Sequence, residues 1–183
     1  MAKNHYVNNK DFFAAMVEFR NSVIIAKAEE KSRPRVTNYI GHCIKEIAVN
    51  LARKPNFMNY PFKDEMIGDG IENSLMYIDN FNPEKSKNPF AYFTQIIYYA
   101  FLRRIQKEKT QLYTKYKLME DMDWQTYEKG FGDSPVEIKH EHTDWSQEYI
   151  SRFIVDFENN KRREVKKRNA KNDSTASDPG VDK

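Results

Sequence analysis

"KNPFAYFTQIIYYAFLRRIQKEK" (residues 87–109) sets six aromatic residues immediately before Arg103, Arg104, Lys107 and Lys109. The run reads as a helix beginning near Pro89, a favoured first-turn residue, and reaching Lys109 or beyond. Residues three and four apart share a helical face. Phe90, Phe93, Ile97, Phe101 and Ile105 therefore form one stripe, the natural core seam. Tyr92, Gln95, Ile96, Tyr99 and Arg103 form a second stripe turned away from it, and Tyr98 and Leu102 partly join the two. A packed helix needs only one apolar stripe. The second mixes rings, an amide and cations, the groups that stack on unpaired bases and hold a nucleic-acid backbone. The alternative is a central helix buried on most of its sides.

The rest of the chain supplies further helices. Asn9 can cap a helix from about Lys10 into the 26–30 stretch, with Phe12, Phe13, Met16 and Phe19 apolar. Pro34 disfavours helix at Arg33 and ends it. A second helix follows Thr37 or Asn38, with Ile40, Cys43, Ile44, Ile47, Ala48 and Leu51 at helical spacing. A third spans roughly Lys63–Ile78, with Met66, Ile67, Ile71, Leu75 and Ile78 on one side. Gly68 and Gly70 inside it each cost about 1 kcal/mol relative to Ala, and either a close backbone approach or fraying accounts for them. Residues 79–89 are a loop. A fifth helix, about Asp144–Arg168, carries Tyr149, Phe153, Ile154 and Phe157 with a basic end that suits the helix dipole. The expected fold class is all-α, a compact helical bundle with a helical C-terminal appendage. Only six glycines among 183 residues argue against a turn-rich all-β fold.

The formal charge of +3 says less than its distribution. Residues 103–117 hold six bases against Glu108, residues 118–148 nine acids against Lys129 and Lys139, and residues 152–171 eight bases against three acids. A single cysteine, Cys43, excludes an intramolecular disulfide and a cysteine-based zinc cluster, and its place on an apolar stripe predicts a buried, inert thiol. No signal-like segment and no run of apolar residues long enough to span a bilayer is seen, so a cytoplasmic location with no membrane partner is expected.

The stretch "EMIGDGIENSLMYIDNFNPEKSKNPFAYFTQIIYYAFLRRI" (65–105) resembles region 2 of bacterial sigma factors. An acidic helix leads through a Phe-containing turn into a helix that opens near a Tyr and ends in bases. Within that family the chain resembles the minimal late-transcription factors of T-even-type bacteriophages, which have the same kind of "VNNK" start, "EMI.DGIE" helix and "KNP.AY.TQ" motif. The likeness covers residues 6–117. It implies a region-2-like domain over residues 1–117; beyond it, composition and pattern read as an acidic linker over 118–143, a C-terminal helix over 144–168 and a disordered tail over 169–183.

The resemblance also implies roles. The acidic helix would dock on the coiled coil of the β′ subunit of a host bacterial RNA polymerase core, through Glu65, Gly68, Asp69, Ile71, Glu72 and Leu75. The following helix would open a −10-like TATA element of promoter DNA. Tyr92 falls where the family stacks a ring on a flipped base. Thr94, Gln95, Ile96, Tyr98 and Tyr99 lie along the melting surface, and Arg103, Arg104, Lys107 and Lys109 would grip phosphates. Housekeeping members carry two adjacent tryptophans where this chain has Gln95 and Ile96, which shifts the wedge toward Tyr98 and Tyr99. No module for a −35 element is evident in residues 118–183. Phage relatives use a coactivator and a sliding clamp, the clamp held by a hydrophobic, acidic C-terminal motif. The last fourteen residues lack that motif, and "FIVDFE" (153–158) is the nearest such stretch, also readable as a packed helix.

The expectation is therefore a non-catalytic transcription initiation factor of an infected bacterial cytoplasm, with no cofactor. Two other classes compete. A single-strand-binding adaptor would need the aromatic and basic face but no docking helix. A nuclease would need metal ligands, for which His140 and His142 with Asp133, Asp144 and Glu148 are the nearest set. Their spacing shares no helical face, and solvated loop residues explain them better.

Overall fold

Capping side chains mark where α-helices of this chain begin at Asn9, Asn38 and Pro89. The computed structural model describes residues 6–121 and 143–176. Among these residues are five α-helices and no strand: α1 (Asn9–Ala28), α2 (Asn38–Ala52), α3 (Lys63–Met76), α4 (Pro89–Asp121) and α5 (Thr143–Ala176), with a 3-10 turn at Ile78–Asn80. The all-α class expected from the apolar spacing is what forms. Among the described residues, no helix is long and apolar enough to cross a membrane.

Thr37 caps α2 as its sequence suggests, accepting a hydrogen bond from the Ile40 amide. The start of α1 differs. Asn8, not Asn9, is its N-cap, and the Asn8 side chain accepts from the Lys10 amide at 3.0 Å. Asn9 instead reaches 81 residues along the chain, where its Oδ1 accepts from the Phe90 amide at 3.2 Å. Asn88 accepts from the Ala91 amide at 3.0 Å, so two asparagines serve the orphan donors at the start of α4.

The end of α1 is built from an unfavourable residue. The Lys31 amide donates to the Ala26 carbonyl and the Glu30 amide to Lys27, the pairing of a Schellman cap. That cap places Glu30 in the left-handed region at φ 52°. A side chain there suffers Cβ crowding, which Gly avoids. Glu30→Gly is expected to raise stability by about 1 kcal/mol, read as a higher urea midpoint at unchanged m-value.

The chain divides into two units, Met1–Lys107 and Glu108–Lys183. The first ends before residue 117, because α4 supplies its last buried residue to that core at Ile105. Phe12, Met16 and Phe19 of α1, seven residues of α2, Phe57, Met66, Ile78, Phe81 and the α4 stripe make one continuous apolar core. Cys43 is buried within it, and burial pushes its thiol pKa up, so it stays protonated at neutral pH. Arg20 donates to the Phe81 carbonyl at 2.7 Å and ties the loop before α4 to α1.

The buried face of α3 is not the stripe of large apolar residues. Met66, Gly70 and Ser74 are buried, Ile67 and Ile71 are half-buried, and Leu75 is exposed. A Cβ built on Gly70 would lie 2.9 Å from Ile97 Cγ2 and 3.1 Å from Phe101 Cε1, so α3 meets α4 here through a bare backbone. Ser74, one turn on, is small enough to follow it. Its hydroxyl donates to the Gly70 carbonyl at 2.7 Å, which satisfies it in a fully buried site. Close approach thus accounts for Gly70, while Gly68 has open space around it.

Within the second unit, α5 lays its aromatic face on the late part of α4. Phe157 stacks on Tyr113 at 4.5 Å, Phe153 packs edge-on against Tyr116 at 5.3 Å, and the Tyr113 hydroxyl donates to Glu158 at 2.9 Å. Ile154 is buried. Phe153, Ile154, Phe157 and Glu158 of the "FIVDFE" stretch are thereby engaged in packing. The helix continues to Ala176, beyond residue 168, because the polar residues 169–176 contain neither Pro nor Gly. His140, His142 and Asp133 lie outside the described residues. Among the described residues, no group of three or more His, Cys, Asp or Glu side chains is arranged to hold a metal.

Candidate nucleic-acid interface

On the inner side of α4, Phe93, Ile97 and Phe101 are completely buried. On the outer side, Gln95, Tyr99, Arg103 and Lys107 are placed four residues apart in one row along the helix, with Gln95, Tyr99 and Lys107 open to solvent and Arg103 beside them. Tyr98 and Leu102 flank this row and are exposed as well, each at 40%. The helix thus has a packed and an open face, but of the expected second stripe only Gln95, Tyr99 and Arg103 are open, while Tyr92 and Ile96 pack on the core. Tyr99 is half in solvent at 51% exposure. Its ring meets Tyr98 edge-on at 5.8 Å, and Tyr98 in turn meets buried Phe57 at 5.7 Å. The two tyrosines are thus braced from beneath while presenting ring surface outward, a low-entropy platform for stacking.

The other candidate residues of α4 are more committed. Tyr92 is half-buried, packed on Phe81 at 5.3 Å and Phe93 at 5.1 Å. Its hydroxyl donates to the Tyr77 carbonyl at 2.8 Å, and burial pushes the phenol pKa up, so it stays a donor at neutral pH. Thr94 donates to the Phe90 carbonyl of its own helix, and Ile96 is half-buried against the core. Neither makes a free wedge. Lys109 is exposed and belongs to the second unit.

Two cations and two α3 residues turn out to be partners. Arg104 grips Asp69 with both ends of its guanidinium, Nε to Oδ2 at 2.6 Å and Nη2 to Oδ1 at 2.8 Å. Arg103 donates to Asn73 Oδ1 at 2.6 Å, and Asn73 donates back to the Asp69 carbonyl at 2.7 Å. Asp69 and Arg104, expected on separate polymerase and DNA surfaces, therefore clamp α3 to α4. Arg103 keeps an exposed side chain, and an arginine has five N–H donors, so phosphate contact remains open to it. The Arg104 and Asp69 side chains are only 18% and 29% exposed. Asp69→Ala is expected to lower stability by about 2 kcal/mol, with a double-mutant cycle to Arg104→Ala giving a coupling of about 1–2 kcal/mol in urea titrations. Additive effects would show that the two groups do not interact in solution.

The outer face of α3 remains acidic and partly apolar. Glu65, Gly68, Glu72 and Leu75 lie toward it, with Leu75 exposed, whereas Ile71 packs on the core. Met76, 62% exposed, and Tyr77, 44% exposed, extend that surface. Sequence reasoning missed these two, although the run "LMY" before the 3-10 turn carries the signal. Carboxylates beside uncovered apolar residues suit a basic partner surface, with charge steering the encounter.

No protein-family model matches this chain, and no curated protein sequence matches it, so its function is inferred from these surfaces.

Proposed function

We propose that this protein is a minimal sigma factor of phage type, which binds a bacterial RNA polymerase core and opens a −10-like TATA element. The observation that carries the proposal is the outer row Gln95, Tyr99, Arg103 and Lys107, flanked by Tyr98, on a helix whose opposite side is fully buried. The resemblance of residues 65–105 to sigma region 2 gives that row a partner and a substrate.

In this mechanism the protein supplies only binding energy. Extruding a base costs a few kcal/mol, least at flexible A·T-rich steps, and each stacked base returns roughly 1–3 kcal/mol. Tyr98 and Tyr99 form the platform in place of the tryptophan pair of housekeeping members. Tyr92, held by Tyr77, Phe81 and Phe93, walls the site for the flipped base. Arg103 and Lys107 hold phosphates of the nontemplate strand, with Lys109 following on the same helix. On α3, Glu65, Glu72 and Leu75 meet the β′ coiled coil, while Asp69 acts chiefly as the clamp that orients α4. A coactivator and a sliding clamp are further partners suggested by the phage resemblance alone.

A second reading has one observation in its favour. Arg104 satisfies Asp69 internally, which leaves fewer carboxylates to dock a polymerase. A single-strand-binding adaptor would use the same aromatic row without α3. In vitro transcription separates the two. Purified core polymerase and this protein are combined on supercoiled templates carrying or lacking a TATAAATA-like element. Element-dependent initiation is expected. Failure to bind core polymerase, with single-strand binding retained, would overturn the sigma reading in favour of the adaptor.

A further inference from the structure

Beyond its aromatic seat on α4, α5 carries a second face that the promoter reading does not use. Six of the eight residues from Lys161 to Arg168 are cationic, and all eight are exposed. At about 100° per residue, Arg162, Arg163, Lys166 and Lys167 fall within roughly 140° of arc. That arc is centred on the side opposite Phe153, Ile154 and Phe157, whose rings and methyls pack inside the unit. Glu164, the one carboxylate in the stretch, falls outside it, as does Val165. Arg162 lies 3.9 Å from Glu158, but its side chain is 75% exposed, and such pairs hold a cation weakly. Among the described residues, no ion pair ties down Arg163, Lys166 or Lys167.

We propose that this arc, Arg162, Arg163, Lys166 and Lys167, is a seat for the phosphate backbone of duplex DNA. The chemistry selects among polyanions. Eight helical residues span about 12 Å, and that length of B-DNA carries about seven phosphate charges, so the charge densities match. The stretch has no aromatic residue, so it offers unpaired bases nothing to stack on. It has no apolar face beside the basic one, which an interfacial membrane helix requires. Its contacts would be independent of sequence, adding affinity for duplex without reading it. This seat lies outside the promoter-opening face and does not need a polymerase.

The test is anisotropy of a labelled G·C-rich duplex with the full-length chain, titrated between about 50 and 200 mM salt. The variant R162Q/R163Q/K166Q/K167Q keeps good helix formers, and circular dichroism checks that α5 persists. Its affinity is expected to fall at least tenfold at low salt. The slope of log K against log salt should shrink by about 0.9 for each phosphate that is no longer neutralised. The exchange R162K/R163K/K166R/K167R should retain both affinity and slope. An unchanged slope in the glutamine variant, or no duplex binding by the wild type, would overturn the proposal. Binding to anionic phosphatidylserine vesicles without duplex binding would overturn it in favour of a membrane surface. Because the duplex lacks a TATA-like element and the assay lacks polymerase, these outcomes are independent of whether the chain initiates transcription.

Discussion

Replacing Tyr98 and Tyr99 together with Ala should abolish element-dependent open-complex formation while leaving polymerase binding intact. Each stacked base is worth roughly 1–3 kcal/mol, so losing two platforms costs about 2–6 kcal/mol, at least a thirtyfold effect. Permanganate reactivity of thymines in the TATA element, with core polymerase present, reads the opening directly. A template carrying a premelted bubble should rescue the variant, since the energy removed is the energy of holding bases apart. Tyr99→Ala alone is the cleaner arm, because Tyr99 is half exposed whereas Tyr98 also packs on Phe57. Unimpaired opening by the double variant would remove this face from the mechanism. Tyr92 calls for a different substitution. Tyr92→Ala would also strip its packing on Phe81 and Phe93, whereas Tyr92→Phe keeps the ring and removes only the bond to Tyr77, so it isolates what the hydroxyl contributes.

Gly70→Val is expected to destabilise the first unit by about 3 kcal/mol or more, with Gly70→Ala costing about 1–2 kcal/mol. The new Cβ would overlap Ile97 Cγ2, which belongs to a stiff β-branched side chain packed at zero exposure and unable to swing aside. Gly68→Ala should do the reverse. Nothing lies within 4 Å of its added Cβ, so the gain in helix propensity, up to about 1 kcal/mol, stands unopposed. Urea denaturation of the two alanine variants checks both signs. If Gly68→Ala also lowered polymerase affinity despite its higher stability, the outer face of α3 would be identified as the docking surface.

These two glycines show where the sequence was informative and where it was not. Phe93, Ile97, Phe101 and Ile105 could be placed in the core from spacing alone, because helical periodicity is a local property. Gly68 and Gly70 look alike in the chain, and only the position of Ile97 on another helix distinguishes them. The same applies to α3 as a whole. Its large apolar residues suggested one buried stripe, but the helix is rotated so that Gly70 and Ser74 face inward, and a small-residue contact leaves no hydrophobic signal. The Asp69–Arg104 clamp joins residues 35 positions apart and depends on the register of α3 against α4. The outer face of α4 was legible in part, at Gln95, Tyr99 and Arg103 but not at Tyr92 and Ile96, for a physical reason. Aromatic side chains placed beyond the needs of packing remain visible as an excess, whatever the tertiary arrangement.

The bond from Asn9 to the Phe90 amide has a consequence for how the molecule is made. Phe12 also stacks on Phe93, at 5.5 Å, so the first helix and the opening turns of the fourth are completed by each other. During synthesis, α1 must wait for about eighty further residues before this second partner, beyond α2, exists. Closing a loop of that length is slow compared with forming either helix alone. The nascent chain therefore leaves the Phe93-facing side of Phe12 uncovered until α4 has left the ribosome. The face proposed to meet DNA is, for the same reason, among the last parts of the first unit to become ordered.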